Sequence, residues 1–200
     1  MENEGDVRTR LRKAAMELFR ERGYDRTTAA TIAARAGVTE RTFFRAFPDK
    51  REVLFDGEAR VQAALTASVA GAPDGLGPLD TLFRAFRAFQ PMLEESRPYA
   101  KQRQEIIAAT PALQERELTK IATLADALAQ ALKARGVTDL RAALAAQAGM
   151  AAFVRATISW LNEPNVRLGE HFDLAFRDLR EILAEGDQRR RKFRPSRTGS

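Results

Sequence analysis

Residues Thr27–Lys50 read TTAATIAARAGVTERTFFRAFPDK. A threonine precedes each of two short apolar-patterned stretches, and Gly37-Val38 separates them, which predicts a helix, a tight turn and a second helix. Apolar residues are spaced to lock the two helices together and against the preceding segment: Ile32, Ala36, Val38, Phe43 and Phe47, with Leu18, Phe19 and Tyr24 before them. This pattern indicates a helix-turn-helix, whose second helix lies in the major groove of DNA.

The second predicted helix leaves several side chains on outward or edge positions. They are Glu40, Arg41, Thr42, Phe44 and Arg45. Arg45 has the donors to bind guanine O6 and N7. Thr28 and Thr39 precede the two helices, where backbone N–H groups and hydroxyls bind phosphates. Plainer interpretations stay open, because exposed arginines are typical of solvated surface and Glu40 also suits a helix N-terminus electrostatically.

The same segment resembles the N-terminal pattern of the tetracycline-repressor (TetR) family, roughly T-T-V-x-[DE]-I-A-x-x-A-G-V-S-x-G-T-[LF]-Y-x-[YH]-F-x-[SN]-K-x-x-L. The residues that match in fixed register are Thr27, Thr28, Ile32, Ala33, Ala36, Gly37, Val38, Thr42, Phe43, Phe47, Lys50 and Leu54. They cover roughly the first quarter of the chain. The resemblance implies a bacterial transcriptional regulator, most often a repressor, that binds a palindromic double-stranded DNA operator.

The resemblance also implies roles for single residues. Thr28 and Lys50 fall on phosphate-contacting positions, and Thr39 takes the place of a phosphate-contacting serine. Two positions depart from the family pattern. Arg41 replaces a frequent glycine and adds a long cation, while Phe44 replaces a tyrosine and so lacks its phosphate-binding hydroxyl.

Helical periodicity continues along the rest of the chain and predicts an all-α fold of about nine helices, opening with a three-helix DNA-binding unit. Beyond the helix-turn-helix, the predicted helices cover about residues 7–22, 50–70, 79–93, 98–107, 111–135, 138–162 and 167–185. We expect a DNA-binding domain over residues 1–54 and a helical effector-binding and dimerisation domain over 55–186. Residues 187–200 are expected to form a basic, disordered tail after Gly186.

The resemblance implies that residues 55–186 bind a small molecule and form a homodimer through the last two long helices. The apolar faces of these helices are also typical of a monomer core. Large apolar side chains with a few polar groups suit an apolar or aromatic effector. Candidates with this character are Phe83, Phe86, Phe89, Met92, Tyr99, Arg103, Phe153, Thr157 and Trp160. Aromatic residues at helical spacing also suit plain core, so this set is a hypothesis.

Composition limits the class of protein. The chain is 44% hydrophobic and 30% charged and has no cysteine, which excludes disulfides and thiolate metal sites. The net charge of +6 is concentrated at the ends: residues 1–55 hold 12 Lys/Arg against 9 Asp/Glu, and residues 186–200 hold 6 against 1. Basic ends favour polyanion binding. No membrane-spanning segment is expected, so we expect a cytoplasmic protein at the bacterial nucleoid.

Catalytic patterns are missing from the sequence. His171 is the only histidine, and Asp173 two residues away does not share its helix face. The glycine-rich loop after residue 70 lacks the lysine of a phosphate-binding loop. We therefore expect neither an enzyme nor a cofactor. Two alternatives stay open: a DNA-binding protein without an effector, and a helical adaptor that no longer binds DNA.

Overall fold

The computed structural model describes residues 4–192, with side chains over residues 5–184, as two compact helical units. Unit 1 contains the described residues up to 63 together with residues 96–122. Unit 2 contains residues 64–95 and the described residues from 123 onward. Within the described residues there is no strand, which confirms the all-α prediction.

Nine α-helices and one 3-10 turn make up the described part of the chain. The helices are α1 (Glu4–Arg22), α2 (Ala29–Arg35), α3 (Glu40–Ala46), α4 (Glu58–Ala70), α5 (Pro78–Glu95), α6 (Arg97–Ala108), α7 (Pro111–Ala134), α8 (Asp139–Asn162) and α9 (Leu168–Lys192). The 3-10 turn is Glu52–Phe55. The division between the units falls within α4 and α7. The functional boundaries at residues 54 and 186 stay predictions.

Unit 1 is built on the apolar stripe of α1. The stripe residues are all buried: Leu11, Ala14, Ala15, Leu18 and Phe19. Ile32 of α2 and Phe43 of α3 are fully buried in the same cluster, which Ile107 of α6 and Leu113 of α7 extend. Removing one large apolar side chain of this kind from water contributes about 1.5–3 kcal/mol. This single core therefore holds the three N-terminal helices in place.

Unit 2 is organised around α8, which packs against α5 and α9. Gly149 of α8 is buried, and a Cβ at this position would lie 2.9 Å from Cδ1 of Leu82 in α5. The glycine therefore lets the two helices approach closely. Aromatic rings fill the remaining space, with Phe153 stacked on Phe172 at 5.6 Å and Phe83 at 5.1 Å from Phe176.

The prediction of one helix from residue 50 to 70 is wrong. The 3-10 turn Glu52–Phe55 comes first, and α4 begins only at Glu58. Gly57 has φ of +91°, a left-handed conformation that breaks a helix and that glycine adopts readily. Just before the turn, the Asp49 carboxylate accepts from the N–H groups of Arg51 and Glu52 at 2.7 and 3.1 Å.

The end of the last helix also differs from the prediction. The α9 backbone continues through Gly186 to Lys192, so Gly186 does not stop it and residues 187–192 of the predicted tail are helical. A single glycine costs a helix only about 1 kcal/mol relative to alanine, which is too little to end it by itself. Residues 193–200 lie outside the described residues.

Contrary to expectation, α8 is long and apolar enough to cross a membrane by length and composition. One such helix is a weak indication, because the core helix of a water-soluble domain passes the same test. In unit 2 the small residues Ala142 and Ala146 and the large Trp160 of α8 are buried. The packing of α8 against α5 and α9 within unit 2 thus explains its apolar composition.

Two adjacent phenylalanines allow a matched test of the core. Phe43 is fully buried and Phe44 is 52% exposed. We expect Phe43→Ala to lower the free energy of unfolding by about 3–5 kcal/mol, because it leaves a cavity between α1 and α3. Phe44→Ala should change it by no more than about 0.5 kcal/mol. Urea unfolding of both variants checks this, and similar losses for the two would contradict the described orientation of α3.

Candidate nucleic-acid interface

The turn between α2 and α3 is fixed by backbone hydrogen bonds. Val38 N–H donates to the carbonyl of Ala33 at 3.0 Å, and Gly37 N–H donates to that of Ala34 at 3.1 Å. This pair of bonds is the Schellman arrangement that ends a helix. Gly37 has the left-handed φ of +69° that it requires. The main-chain geometry of this turn therefore sets the direction of α3 relative to α2.

Threonines cap both helices of the motif. The Thr28 hydroxyl accepts from Thr31 N–H at 3.2 Å, and the Thr31 hydroxyl accepts from Thr28 N–H at 3.0 Å, which completes a capping box. The Thr39 hydroxyl accepts from Thr42 N–H at 3.1 Å and lies 2.9 Å from the Thr42 hydroxyl. These caps orient the N-terminal N–H groups of both helices, and phosphate contact by Thr28 and Thr39 stays a prediction.

The outward side of α3 carries the charged and aromatic residues that the sequence predicted there. Glu40, Arg41 and Arg45 are exposed, and none of the three has a hydrogen-bond or ion-pair partner among the described residues. Phe44 packs edge-on against Phe43 at 5.4 Å while leaving about half of its surface in solvent. Thr42 is half-buried and engaged with the cap. The exposed groups are therefore free to contact a ligand.

Lys50 has a structural role that the sequence did not indicate. Its Nζ donates to the carbonyls of Tyr24 and Thr27, each at 2.8 Å, and lies 4.1 Å from the centroid of the Tyr24 ring. Burial lowers the pKa of Lys50 below its ordinary value. The side chain thus ties the loop before α2 to the segment after α3. The predicted phosphate contact would use the third N–H of the ammonium group, because the other two bind these carbonyls.

Arg8 of α1 anchors the other end of α3. It donates to the carbonyl of Ala46 at 2.7 Å and to the Asp56 carboxylate at 2.7 and 3.2 Å. Its guanidinium carbon also lies 4.4 Å from the centroid of the Phe47 ring. These partners lie up to 48 residues away along the chain, so the local sequence carried no signal of them.

A cluster of charges surrounds the segment between the 3-10 turn and α4. Arg116 of α7 donates to Glu52 at 2.9 Å and to Glu58 at 2.8 Å. Arg103 of α6 donates to the carbonyl of Leu54 at 2.7 Å and to Glu117. We call these residues the 52–58 cluster. It fixes within unit 1 the segment that leads from the helix-turn-helix into α4.

Burial and charge oppose each other at Glu117. Burial raises the pKa of this carboxyl, but the nearby charges of Arg103 and Lys120 outweigh that effect, so the pKa is lowered overall. Two cations of the 52–58 cluster lie over the Phe55 ring. The ring centroid is 4.9 Å from the Arg103 guanidinium and 4.5 Å from that of Arg116. Arg103, a predicted effector-binding residue, is thus engaged in this cluster.

The predicted effector-binding residues fall in different units. Unit 2 holds Phe83, Phe86, Phe89, Met92, Phe153, Thr157 and Trp160, while unit 1 holds Tyr99 and Arg103. In unit 2 the rings of Phe86 and Phe153 lie 4.5 Å apart, and the Thr157 hydroxyl donates to the Phe153 carbonyl at 2.8 Å. Phe86, Phe89 and Trp160 are buried, whereas Met92 is 45% exposed.

Tyr99 has its described contacts within unit 1. Its ring lies 5.4 Å from the Arg12 guanidinium in unit 1, and burial raises the pKa of its hydroxyl. That hydroxyl is buried without a hydrogen-bond partner among the described residues. Among the predicted effector-binding residues, the rings of Phe86 and Phe153 are in contact. Ligand binding by the set stays a prediction.

Two family models match this chain. Residues 11–56 match the bacterial regulatory proteins of the tetR family, and residues 76–184 match the MftR C-terminal domain. The second match alone covers more than half of the 200 residues. The chain belongs to the TetR family of bacterial transcriptional regulators, which bind DNA operators and small-molecule effectors and act as dimers.

Similar proteins agree with this assignment. TcmR of Streptomyces glaucescens is 39% identical over 82 residues, which are 41% of this chain and only 36% of TcmR. MftR of Mycobacterium tuberculosis is 26% identical over 165 residues, or 81% of this chain and 83% of MftR. Among solved structures, Thermus thermophilus FadR is 27% identical with a TM-score of 0.51, covering 86% of this chain and 92% of FadR. Pseudomonas aeruginosa NalD shares the fold, with 20% identity, a TM-score of 0.60 and coverage of 90% and 97%.

The structural role of Lys50 can be measured without DNA. Lys50→Met leaves two carbonyls without their donor, so we expect it to lower the free energy of unfolding by about 1–3 kcal/mol. Lys13 is exposed and has no described partner, and Lys13→Met removes the same charge from unit 1. This control should stay within about 0.5 kcal/mol of the parent. Equal stability of the two variants in denaturant unfolding would show that the Lys50 hydrogen bonds contribute nothing.

Proposed function

We propose that this protein is a dimeric, effector-responsive repressor that binds a palindromic operator through α3. The observation that carries the proposal is the outward side of α3. There Arg41 and Arg45 are exposed and have no partner within residues 5–184, on a helix that is fixed at both ends. Because neither guanidinium has a partner among the described residues, binding a base edge would break no described hydrogen bond or ion pair. No catalytic role is part of the proposal.

The chemistry of these side chains suggests which bases they read. Arg41 and Arg45 suit guanine O6 and N7, and the Glu40 carboxylate suits the cytosine N4 amino group. Phe44 offers an apolar surface for a thymine methyl group. Thr28, Thr39 and Lys50 would then contact phosphates, which position the helix without reading sequence. A half-site that contains G·C pairs is the expected result.

Selection of bound DNA fragments with the purified protein tests this function. A palindromic motif should emerge, and Arg45→Ala should lose about 1–3 kcal/mol of binding to it while keeping its affinity for random DNA. Arg20 is exposed in the last turn of α1, so Arg20→Ala removes the same charge outside α3. Any loss in this control should be the same for both DNAs. Uniform weakening by Arg45→Ala would remove it from base reading, and selection without a motif would contradict the repressor.

We place the dimer interface on α8 and α9. On α8 the exposed positions Leu140, Leu144, Gln147 and Ala151 follow a spacing of four, three and four residues, which puts them on one side of the helix. On α9, Leu174 and Ile182 are 46% and 66% exposed. Exposed leucines along a helix are typical of an interface. The buried side of α8 already packs in unit 2, so its outer side is available for a second copy.

Charge substitution at this side of α8 tests the interface. Leu144→Glu would bury an unpaired carboxylate in the proposed dimer, so we expect monomers at protein concentrations where the parent is dimeric. Leu118 of α7 is 67% exposed, against 61% for Leu144, and Leu118→Glu is the matched control. Sedimentation equilibrium should find this control dimeric. A dimeric Leu144→Glu protein would place the interface elsewhere.

Effector binding is assigned to unit 2. Thermus thermophilus FadR, a TetR-family repressor that is 27% identical to this chain, has been solved in complex with lauroyl-CoA, which supports a ligand-binding role for the helical domain. The Phe86–Phe153 contact suits an apolar or aromatic molecule that would separate the two rings. An effector that favours a dimer whose recognition helices no longer match major grooves about 34–36 Å apart would release the protein from the operator.

A further inference from the structure

A second candidate binding region lies in unit 2 between the end of α4 and α5. It is an open cleft of about 420 Å³, lined by Ser68, Gly71, Arg84, Arg87 and Ala88. This volume falls within the range of about 300–1,000 Å³ that small-molecule sites occupy. The lining residues of α5 alternate along the helix with Ala85, Phe86 and Phe89, which are buried. The cleft is therefore on a different side of α5 from the aromatic core.

The polar side chains of this cleft are mostly donors. Arg84 has no hydrogen-bond or ion-pair partner among the described residues, and the Ser68 hydroxyl has none either. Arg87 has only a long ion pair, 3.9 Å, with the exposed carboxylate of Asp173. A guanidinium presents five N–H donors and no acceptor. Two such groups one helical turn apart can therefore bind an anion between them.

Three other arginines of unit 2 are engaged, while exposed Arg141 and Arg155 of α8, like Arg84, have no partner among the described residues. Arg135 donates to the carbonyls of Ala70 and Pro73 at 3.0 and 2.9 Å, and Arg180 donates to Asp80 at 2.6 Å. Arg167 donates to Glu170 at 2.8 Å. Hydrogen bonds of this kind satisfy a guanidinium within the protein. Within the part of the chain that the structure describes, the two cleft arginines make no such hydrogen bond, which leaves their donors available to a ligand.

Arg87 also connects the cleft to α9. A Cβ at position 169 would overlap the Arg87 guanidinium, so this group lies against the bare backbone of Gly169 in the first turn of α9. Asp173, its ion-pair partner, is one turn further along the same helix. A ligand that draws Arg87 into the cleft would break this pair. The α9 helix belongs to the proposed dimer interface, so cleft occupancy would act on the dimer.

We propose that this cleft binds a small amphiphilic anion, whose carboxylate or phosphate head pairs with Arg84 and Arg87. The Ser68 hydroxyl donates a further hydrogen bond to the head. Ala88 and the methylene stems of the arginines contact the apolar body. The inference rests on the proposed role of unit 2 as the effector-binding part of the protein, and it adds a second site and a second class of molecule to the apolar or aromatic effector proposed for the Phe86–Phe153 contact.

Calorimetric titration of the purified full-length protein without DNA tests the cleft. The probes share a ten-carbon chain and differ in the head: decanoate, decyl phosphate, decanol and decyltrimethylammonium. We expect the two anions to bind at least tenfold more tightly than the alcohol or the cation. Hydrogen bonds to charged groups contribute about 1.5–3 kcal/mol each, so Arg84→Gln and Arg87→Gln should each weaken decanoate binding about tenfold or more.

The matched control is Arg167→Gln, which removes one exposed positive charge from unit 2 outside the cleft. It should change the dissociation constant of decanoate less than twofold. Equal binding of decanoate and decanol, or unchanged decanoate affinity in both cleft variants, would overturn the proposal. DNA is absent from this titration, so its outcome is separate from operator selection. An operator that is bound while decanoate is not would overturn the cleft and leave the repressor standing.

Discussion

The burial of Phe43 in the core of unit 1 is the constraint on which the outward side of α3, the proposed DNA-reading surface, depends. This ring is fully enclosed in the core of unit 1, and the helix that carries it has only seven residues. A helix so short is not stable in water by itself, so tertiary contacts must hold it. Once Phe43 faces inward, the helical repeat turns Arg41, Phe44 and Arg45 outward. Core packing and the proposed DNA recognition thus both depend on the same rotation of α3.

Charged side chains add to the apolar core in holding the segments of unit 1 in place. Arg8 holds the last carbonyl of α3, Lys50 holds the loop before α2, and Arg116 holds the segment that leads into α4. In each case a long side chain satisfies backbone carbonyls or carboxylates that would otherwise lose their hydrogen bonds to water. These contacts fix α3 within unit 1, which the proposed change in spacing between two recognition helices requires.

Unit 2 uses the opposite sides of its helices for different purposes. The inner side of α8 buries alanines and Trp160, while its outer side exposes Leu140 and Leu144. The inner side of α5 likewise carries buried aromatic rings, while its outer side carries the two arginines of the cleft. Helices with two functional sides can link a ligand to a neighbouring subunit, because movement of one side must move the other. In the proposed function, Arg87, which contacts α9 from the cleft, is such a link.

Local sequence determined the helix content, the helix-turn-helix and the outward residues of α3, because caps, glycine turns and apolar periodicity act over a few residues. It could not determine that Lys50 binds the carbonyls of Tyr24 and Thr27, or that Arg103 joins the 52–58 cluster instead of the aromatic residues of unit 2. The helix break at Gly57 and the continuation of α9 past Gly186 show the same limit, since a glycine permits a turn without requiring one. The partners of a long charged side chain are groups that are distant in sequence, and only the folded chain brings those groups together.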